Sequence, residues 1–157
     1  MLVDGYWLPI KDGDPRALGL YLRHYSARHY RDGRPRRLFV GPGEKMVLMT
    51  ERCDALFVWR KFIDDAVPAQ WGVNCAVFRN EGPILSSALI REACELAWRR
   101  WPGKRLYTYV APRKVRSINP GCCFIKAGWR RCGSETKGGL MIFELRAALD
   151  AGQGENG

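Results

Sequence analysis

What the chain lacks narrows its identity first. Its 6 cysteines include no Cys-x-x-Cys pair, so the ligand spacing of a structural zinc site is missing. No apolar run approaches the roughly 20 residues that cross a bilayer. The opening Met1-Leu2-Val3-Asp4-Gly5-Tyr6 has no signal-peptide pattern, so a soluble, cytoplasmic protein is expected. Only 2 histidines, His24 and His29, offer an imidazole, and no His-His-carboxylate spacing demands a metal. No internal repeat or second domain is visible. Acidic residues are in deficit: 16 Asp and Glu stand against 26 Lys and Arg, a net charge of +10.

What is present fits one ordered domain. A chain of 157 residues, 46% of them hydrophobic, can bury a single core around one sheet. Cys53, Cys75 and Cys94 sit among apolar neighbours, where a reduced thiol acts as a small hydrophobe. Cys122-Cys123 reads either as small residues filling a turn or as thiols activated by a helix N-terminus. The positive charge is uneven. Arg16, Arg23, Arg28, Arg31, Arg34, Arg36 and Arg37 crowd the first part of the chain, with Tyr21, Tyr25 and Tyr30 threaded among them. A second cluster runs from Lys104 and Arg105 through Arg113, Lys114, Arg116, Lys126, Arg130 and Arg131 to Lys137. The planar guanidinium bonds two phosphate oxygens at once, so this pattern favours nucleic acid over a merely solubilising surface. Arg28, Arg34, Arg36, Arg37, Arg113, Lys114 and Arg116 are the expected phosphate contacts.

The order of elements follows from breakers and periodicity. Residues 1–13 read as an irregular lead-in, since Gly5, Pro9 and Gly13 interrupt any regular element. Asp14-Pro15 starts a helix with Leu18, Tyr21, Leu22 and Tyr25 on one face. Short strands are expected over 37–40 and 45–49, joined by the turn Gly41-Pro42-Gly43-Glu44, and over 55–62. The mostly apolar stretch from Trp71 to Asn80 is the expected central strand. A helix follows from about Ser86 to Trp101, with Ser86 or Ser87 as its N-cap. Arg105 to Val110 should lie parallel beside the central strand. A short helix then stops at Gly128-Trp129, and Lys137 to Leu145 closes the sheet. One domain over 14–149 with a frayed tail over 150–157 is the expected organisation.

That order, with Phe124-Ile125-Lys126-Ala127-Gly128-Trp129 at its end, resembles acyltransferases of the GNAT type. The resemblance implies an α/β fold: a splayed, largely antiparallel mixed sheet flanked by helices. More closely, the chain is similar to the Mom-like proteins of phages. That match is carried by His24-Tyr25-Ser26, Phe39-Val40-Gly41-Pro42-Gly43-Glu44, Phe78-Arg79-Asn80-Glu81-Gly82 and Tyr107 through Gly121. It implies a DNA-modification enzyme acting on adenine in a phage-infected or prophage-bearing bacterial host. It also implies that His24 and Tyr25 act in catalysis or metal binding; whether a metal is bound stays open, iron being the candidate by analogy.

Two departures bear on the donor. Acetyl-CoA users of this shape hold pyrophosphate on backbone N–H groups before the main helix. Here that place reads Arg79-Asn80-Glu81-Gly82-Pro83-Ile84-Leu85-Ser86-Ser87, where Pro83 has no N–H and an inward Glu81 would repel phosphate. The tyrosine that protonates the leaving thiolate is matched by Phe124, which carries no proton to give. Acetyl-CoA is therefore a doubtful cofactor and the small-molecule donor is unknown. Asn80, Gly82, Ser86 and Ser87 are the candidate donor-binding residues, capping being the other reading of the serines. Tyr107 and Tyr109 share a face by strand alternation, either lining a pocket, with Tyr107 against nucleic acid, or packing under a helix. His24, Tyr25, Tyr109 and Asn119 are the catalytic candidates, although Asn119 before Pro120 also reads as a turn residue.

The expected chemistry is transfer of a small acyl-like or carbamoylmethyl group to the exocyclic amine of adenine in DNA. That amine is a weak nucleophile and needs a base, His24 or a tyrosinate. The base must be flipped out or met single-stranded. DNA is the expected partner, no membrane is, and a homodimer is left open. Two other readings stand beside this one. One is an acetyl-CoA-dependent N-acetyltransferase on a small amine or protein lysine; the other is a non-enzymatic nucleic-acid binder of the same shape.

Overall fold

The structure is a computed structural model that describes residues 5–24, 38, 40–41, 43–62, 70–111, 121–134 and 139–147. In chain order the elements are β1 (Trp7–Ile10), α1 (Pro15–Leu22), β2 (Glu44–Thr50), β3 (Ala55–Lys61), β4 (Val73–Asn80), α2 (Ser86–Arg100), β5 (Leu106–Val110), α3 (Cys122–Lys126), β6 (Arg130–Ser134) and β7 (Met141–Leu145). Among the described residues the strands form one mixed sheet in the order β1-β2-β3-β4-β5-β7-β6. β4 and β5 are parallel and every other pairing is antiparallel. The fold is therefore mixed α/β, with β4 at the centre as its apolar text implies. Among the described residues no helix is long and apolar enough to cross a membrane.

Two indoles pin α2 to the sheet. Trp7 Nε1 donates to the Leu89 carbonyl at 2.7 Å and Trp59 Nε1 to the Ala93 carbonyl at 2.9 Å, one helical turn apart. Around them Phe57, Leu89, Ile90, Ala93, Leu106, Phe124 and Phe143 form the core on the α2 face. Burying a side chain such as Phe57 contributes about 1.5–3 kcal/mol relative to exposure. The opposite face carries a smaller core of Ala17, Leu20, Tyr21, Val47, Met49, Leu56, Val58 and Val77 beneath α1. At the start of α3, Gly121 has φ 82° and lies against the Phe143 ring, where a Cβ would collide.

Several expectations are corrected. Trp7–Ile10 is a strand within the stretch expected to be irregular; Pro9 is tolerated because β1 is an edge strand, where a missing N–H need not break the ladder. Glu92 holds its start, its carboxylate accepting from Tyr6 N at 2.8 Å and Trp7 N at 2.8 Å. At the described Leu38 and Val40 there is no strand; Val40 N donates instead to the Asp12 carboxylate at 3.2 Å. α1 begins as expected, with Asp14 Oδ1 accepting from Arg16 N at 2.9 Å and Pro15 in the first turn. Its buried face is Ala17, Leu20 and Tyr21, while Leu22 is exposed. The face is thus rotated by one residue from the expected set, and the rotation brings His24 inward. β6 is a separate strand ahead of the expected closing strand. The tail over 150–157 lies outside the described residues.

Candidate functional site

The parallel pair at the centre of the sheet separates early. β4 and β5 pair only at Val73–Leu106, Asn74–Tyr107 and Cys75–Thr108, after which β4 runs on to Asn80 and β5 to Val110. The last shared bond is Thr108 Oγ1 donating to the Cys75 carbonyl at 2.9 Å. In the register with β3, Val77 follows Cys75 and Ala76 is the additional residue, a bulge that bends β4 and resets which side chains face α2. The carboxyl ends of diverging parallel strands are where sheets of this kind bind ligands.

The turn from β4 into α2 forms one wall, and it is built from its own side chains. Asn80 Nδ2 donates to the Ile84 carbonyl at 2.7 Å and to Ser86 Oγ at 2.9 Å, while Asn80 Oδ1 accepts from Gly82 N at 3.0 Å. Glu81 N donates to the Asp54 carbonyl at 2.7 Å. A Cβ at Gly82 would strike the Asp54 carboxylate, which accepts from Thr50 Oγ1 at 2.7 Å. Asn80, Gly82 and Ser86, expected to bind a donor, are brought together but spent on one another. The N–H groups of Glu81 and Gly82 are committed and Pro83 has none, so none of these three positions can cradle a pyrophosphate. Neither serine caps α2: the N-cap is Leu85, without a side-chain bond, and Ser87 is buried. Asn80→Ala removes the brace, and a cost of about 1–3 kcal/mol in thermal or urea unfolding is expected, from orphaned turn groups; a change below a few tenths would show that the backbone holds the turn unaided.

Glu81 turns to the end of α1. Its carboxylate takes Arg23 Nε at 2.6 Å and Arg79 Nε at 2.9 Å, and Arg79 Nη1 donates to the Arg23 carbonyl at 3.0 Å. Hydrogen bonding to Arg23, then to Arg79, holds the Glu81 carboxyl below its usual range against a modest burial penalty. The feared repulsion is thereby neutralised, and the turn is tethered to the end of α1.

His24 lies at that junction. Its backbone N donates to the Tyr21 carbonyl at 2.9 Å, just past the end of α1. Burial, reinforced by the Arg79 charge and opposed by a backbone hydrogen bond at Phe78, lowers its pKa from 6.5 to about 4. The imidazole is neutral at pH 7, the form that can accept a proton or bind a metal. The iron implied by resemblance finds no support in the ligand set: among the described residues no three His, Cys, Asp or Glu side chains converge on one point.

No family model and no curated protein matches this chain. The site is therefore read from its own residues.

Tyr107 and Tyr109 do share a face, their rings 5.9 Å apart and nearly perpendicular. Tyr107 is fully buried, which corrects its expected place against nucleic acid, whereas Tyr109 is half-buried toward the divergence of the strands. Asn74, beside Tyr107 in register, is 7% exposed, and its Oδ1 has no hydrogen-bond partner among the described residues. Phe124 is buried and packs edge-on against Phe78 and Trp129, so its ring is core. Tyr25, Arg28, Arg34, Arg36, Arg37, Arg113, Lys114, Arg116 and Asn119 lie outside the described residues. Sequence reasoning missed the Arg23–Glu81–Arg79 tether. Its only sequence trace is two arginines and a glutamate in segments separated by more than fifty positions.

Proposed function

We propose that this chain is a DNA-modifying transferase of GNAT-like shape, akin to the phage Mom-like branch. It transfers a small acyl-like or carbamoylmethyl group to the exocyclic amine of adenine. The observation that carries this reading is a neutral His24 imidazole wedged against β4 beside the divergence of the central strands, in a chain of net charge +10. His24 would take the proton that the amine loses as its bond to the group forms and the group's bond to the donor breaks, the donor remnant departing with that bond's electron pair, and Tyr109 would flank the extruded base. The positive charge supports a polyanionic partner and salt-dependent association.

The rival acetyl-CoA reading is disfavoured by the committed N–H groups of Glu81 and Gly82 and by the buried Phe124. Mass spectrometry of nucleosides from cells expressing the chain is expected to show a mass-shifted deoxyadenosine that is missing with His24→Ala. Identical unmodified profiles from both would remove the proposal. Tight acetyl-CoA binding by calorimetry without DNA affinity would put the acetyltransferase in its place.

A further inference from the structure

A second aromatic and basic constellation lies at the other end of β5, away from His24. Trp71 precedes β4 and its residue is 58% exposed, an unusual position for the largest apolar side chain. The Arg105 guanidinium carbon lies 4.1 Å from the Trp71 ring centroid and that of Arg146 lies 5.2 Å from it. Both guanidiniums are gathered by one carboxylate. Glu144, 2% exposed, takes Arg105 Nε at 2.5 Å and Arg146 Nε at 3.5 Å, and also pairs with Arg130. Three guanidinium charges against one carboxylate leave a local charge of +2.

The three arginines divide the work. Arg105 is 4% exposed and donates to Glu144, to the Trp71 carbonyl at 3.0 Å, to Gln70 Oε1 at 2.8 Å and to Cys132 Sγ at 3.4 Å. It fixes the indole. Arg130 and Arg146 instead keep side chains 71% and 50% exposed, and each guanidinium has five donors, only part of which Glu144 can use. A largely exposed indole in contact with a buried arginine, beside solvent-facing guanidiniums that share its carboxylate, is an arrangement that can stack an unpaired base while neighbouring phosphates are neutralised.

We infer that Trp71, with Arg130 and Arg146, forms a platform for single-stranded DNA, stacking one unpaired base. From Trp71 a series of close ring and guanidinium contacts runs through Arg105 to Tyr107 at 5.3 Å and on to Tyr109 at 5.9 Å. Arg105 to Tyr109 spans four residues of strand, roughly 13 Å, so the platform stands a few nucleotides from the candidate site. This rests on the DNA reading above and names where the strand beside the target is gripped.

The test is fluorescence anisotropy with a labelled oligothymidylate, titrated over a range of salt. Trp71→Ala should weaken binding by about five- to 150-fold, the size of one base–aromatic contact, with an unchanged salt slope. Trp71→Phe should restore most of the loss. Arg130→Gln with Arg146→Gln should reduce the slope by about one for each phosphate contact removed. Equal binding by wild type and Trp71→Ala, or equal loss in Trp71→Phe, overturns the platform and leaves the DNA reading standing. No salt-dependent binding by the wild type overturns both.

Discussion

Replacing Glu144 with alanine is expected to destabilise the protein by about 3–5 kcal/mol, because it strands a buried guanidinium without its counter-charge. Arg105 and Glu144 are 4% and 2% exposed and meet at 2.5 Å, and the pair joins the ends of β5 and β7. Urea midpoints at constant m-value measure the loss. The paired exchange Arg105→Met with Glu144→Leu should recover most of it, since desolvating two ions offsets much of their attraction. A single-mutant cost under about 1 kcal/mol would mean that water reaches Arg105 when the carboxylate is gone. The pH dependence has a definite sign. Burial raises the Glu144 pKa, but Arg105 and Arg130 outweigh it and the net shift is downward from 4.5. Its contribution is therefore complete above 4.5 and is lost as acid protonates the folded carboxylate.

His24 supplies the second large effect, in the same direction for a different reason. Its folded pKa of about 4 lies below the ordinary 6.5, so between these values the unfolded chain binds a proton that the folded chain refuses. Stability should be unaffected by this group above pH 6.5 and should fall progressively to about 3 kcal/mol less near pH 4, at 1.36 kcal/mol per unit of difference. A His24→Gln variant removes that slope. The comparison is a series of urea melts from pH 7 to pH 4 on both proteins, and parallel curves would show that the imidazole is solvated. If His24 is the base, the acid limb of activity should also fall near pH 4 rather than 6.5.

Legibility followed the range of the interactions. β4 was readable because a strand covered along most of both faces is mostly apolar, and α2 because Leu89, Ile90, Ala93, Leu96 and Ala97 recur at helical spacing. β1 was hidden by Pro9, whose prohibition applies only to inner strands, and β6 by its arginines, which suit an edge. The buried face of α1 was misread by one residue because Leu18 and Leu22 fit a helical stripe as well as Ala17 and Leu20 do. In the candidate site, His24 was singled out by resemblance, but the Arg79 charge that helps to lower its pKa comes from far along the chain. The serines that open α2 looked like caps because capping is the commonest use of such residues, whereas Leu85 is the N-cap and Asn80 takes Ser86 for itself. The Trp71 constellation had no local signature: its carboxylate lies more than seventy positions from its indole.

The two margins of the sheet carry a consequence for colloidal behaviour. β1 presents Pro9, which has no N–H to offer a neighbour, and β6 presents Arg130 and Arg131 together with an irregularity at Cys132. A proline, like charges and a kinked ribbon all discourage another chain from adding itself strand to strand. At high concentration, crowding should therefore favour dispersed molecules over fibrous growth through either border.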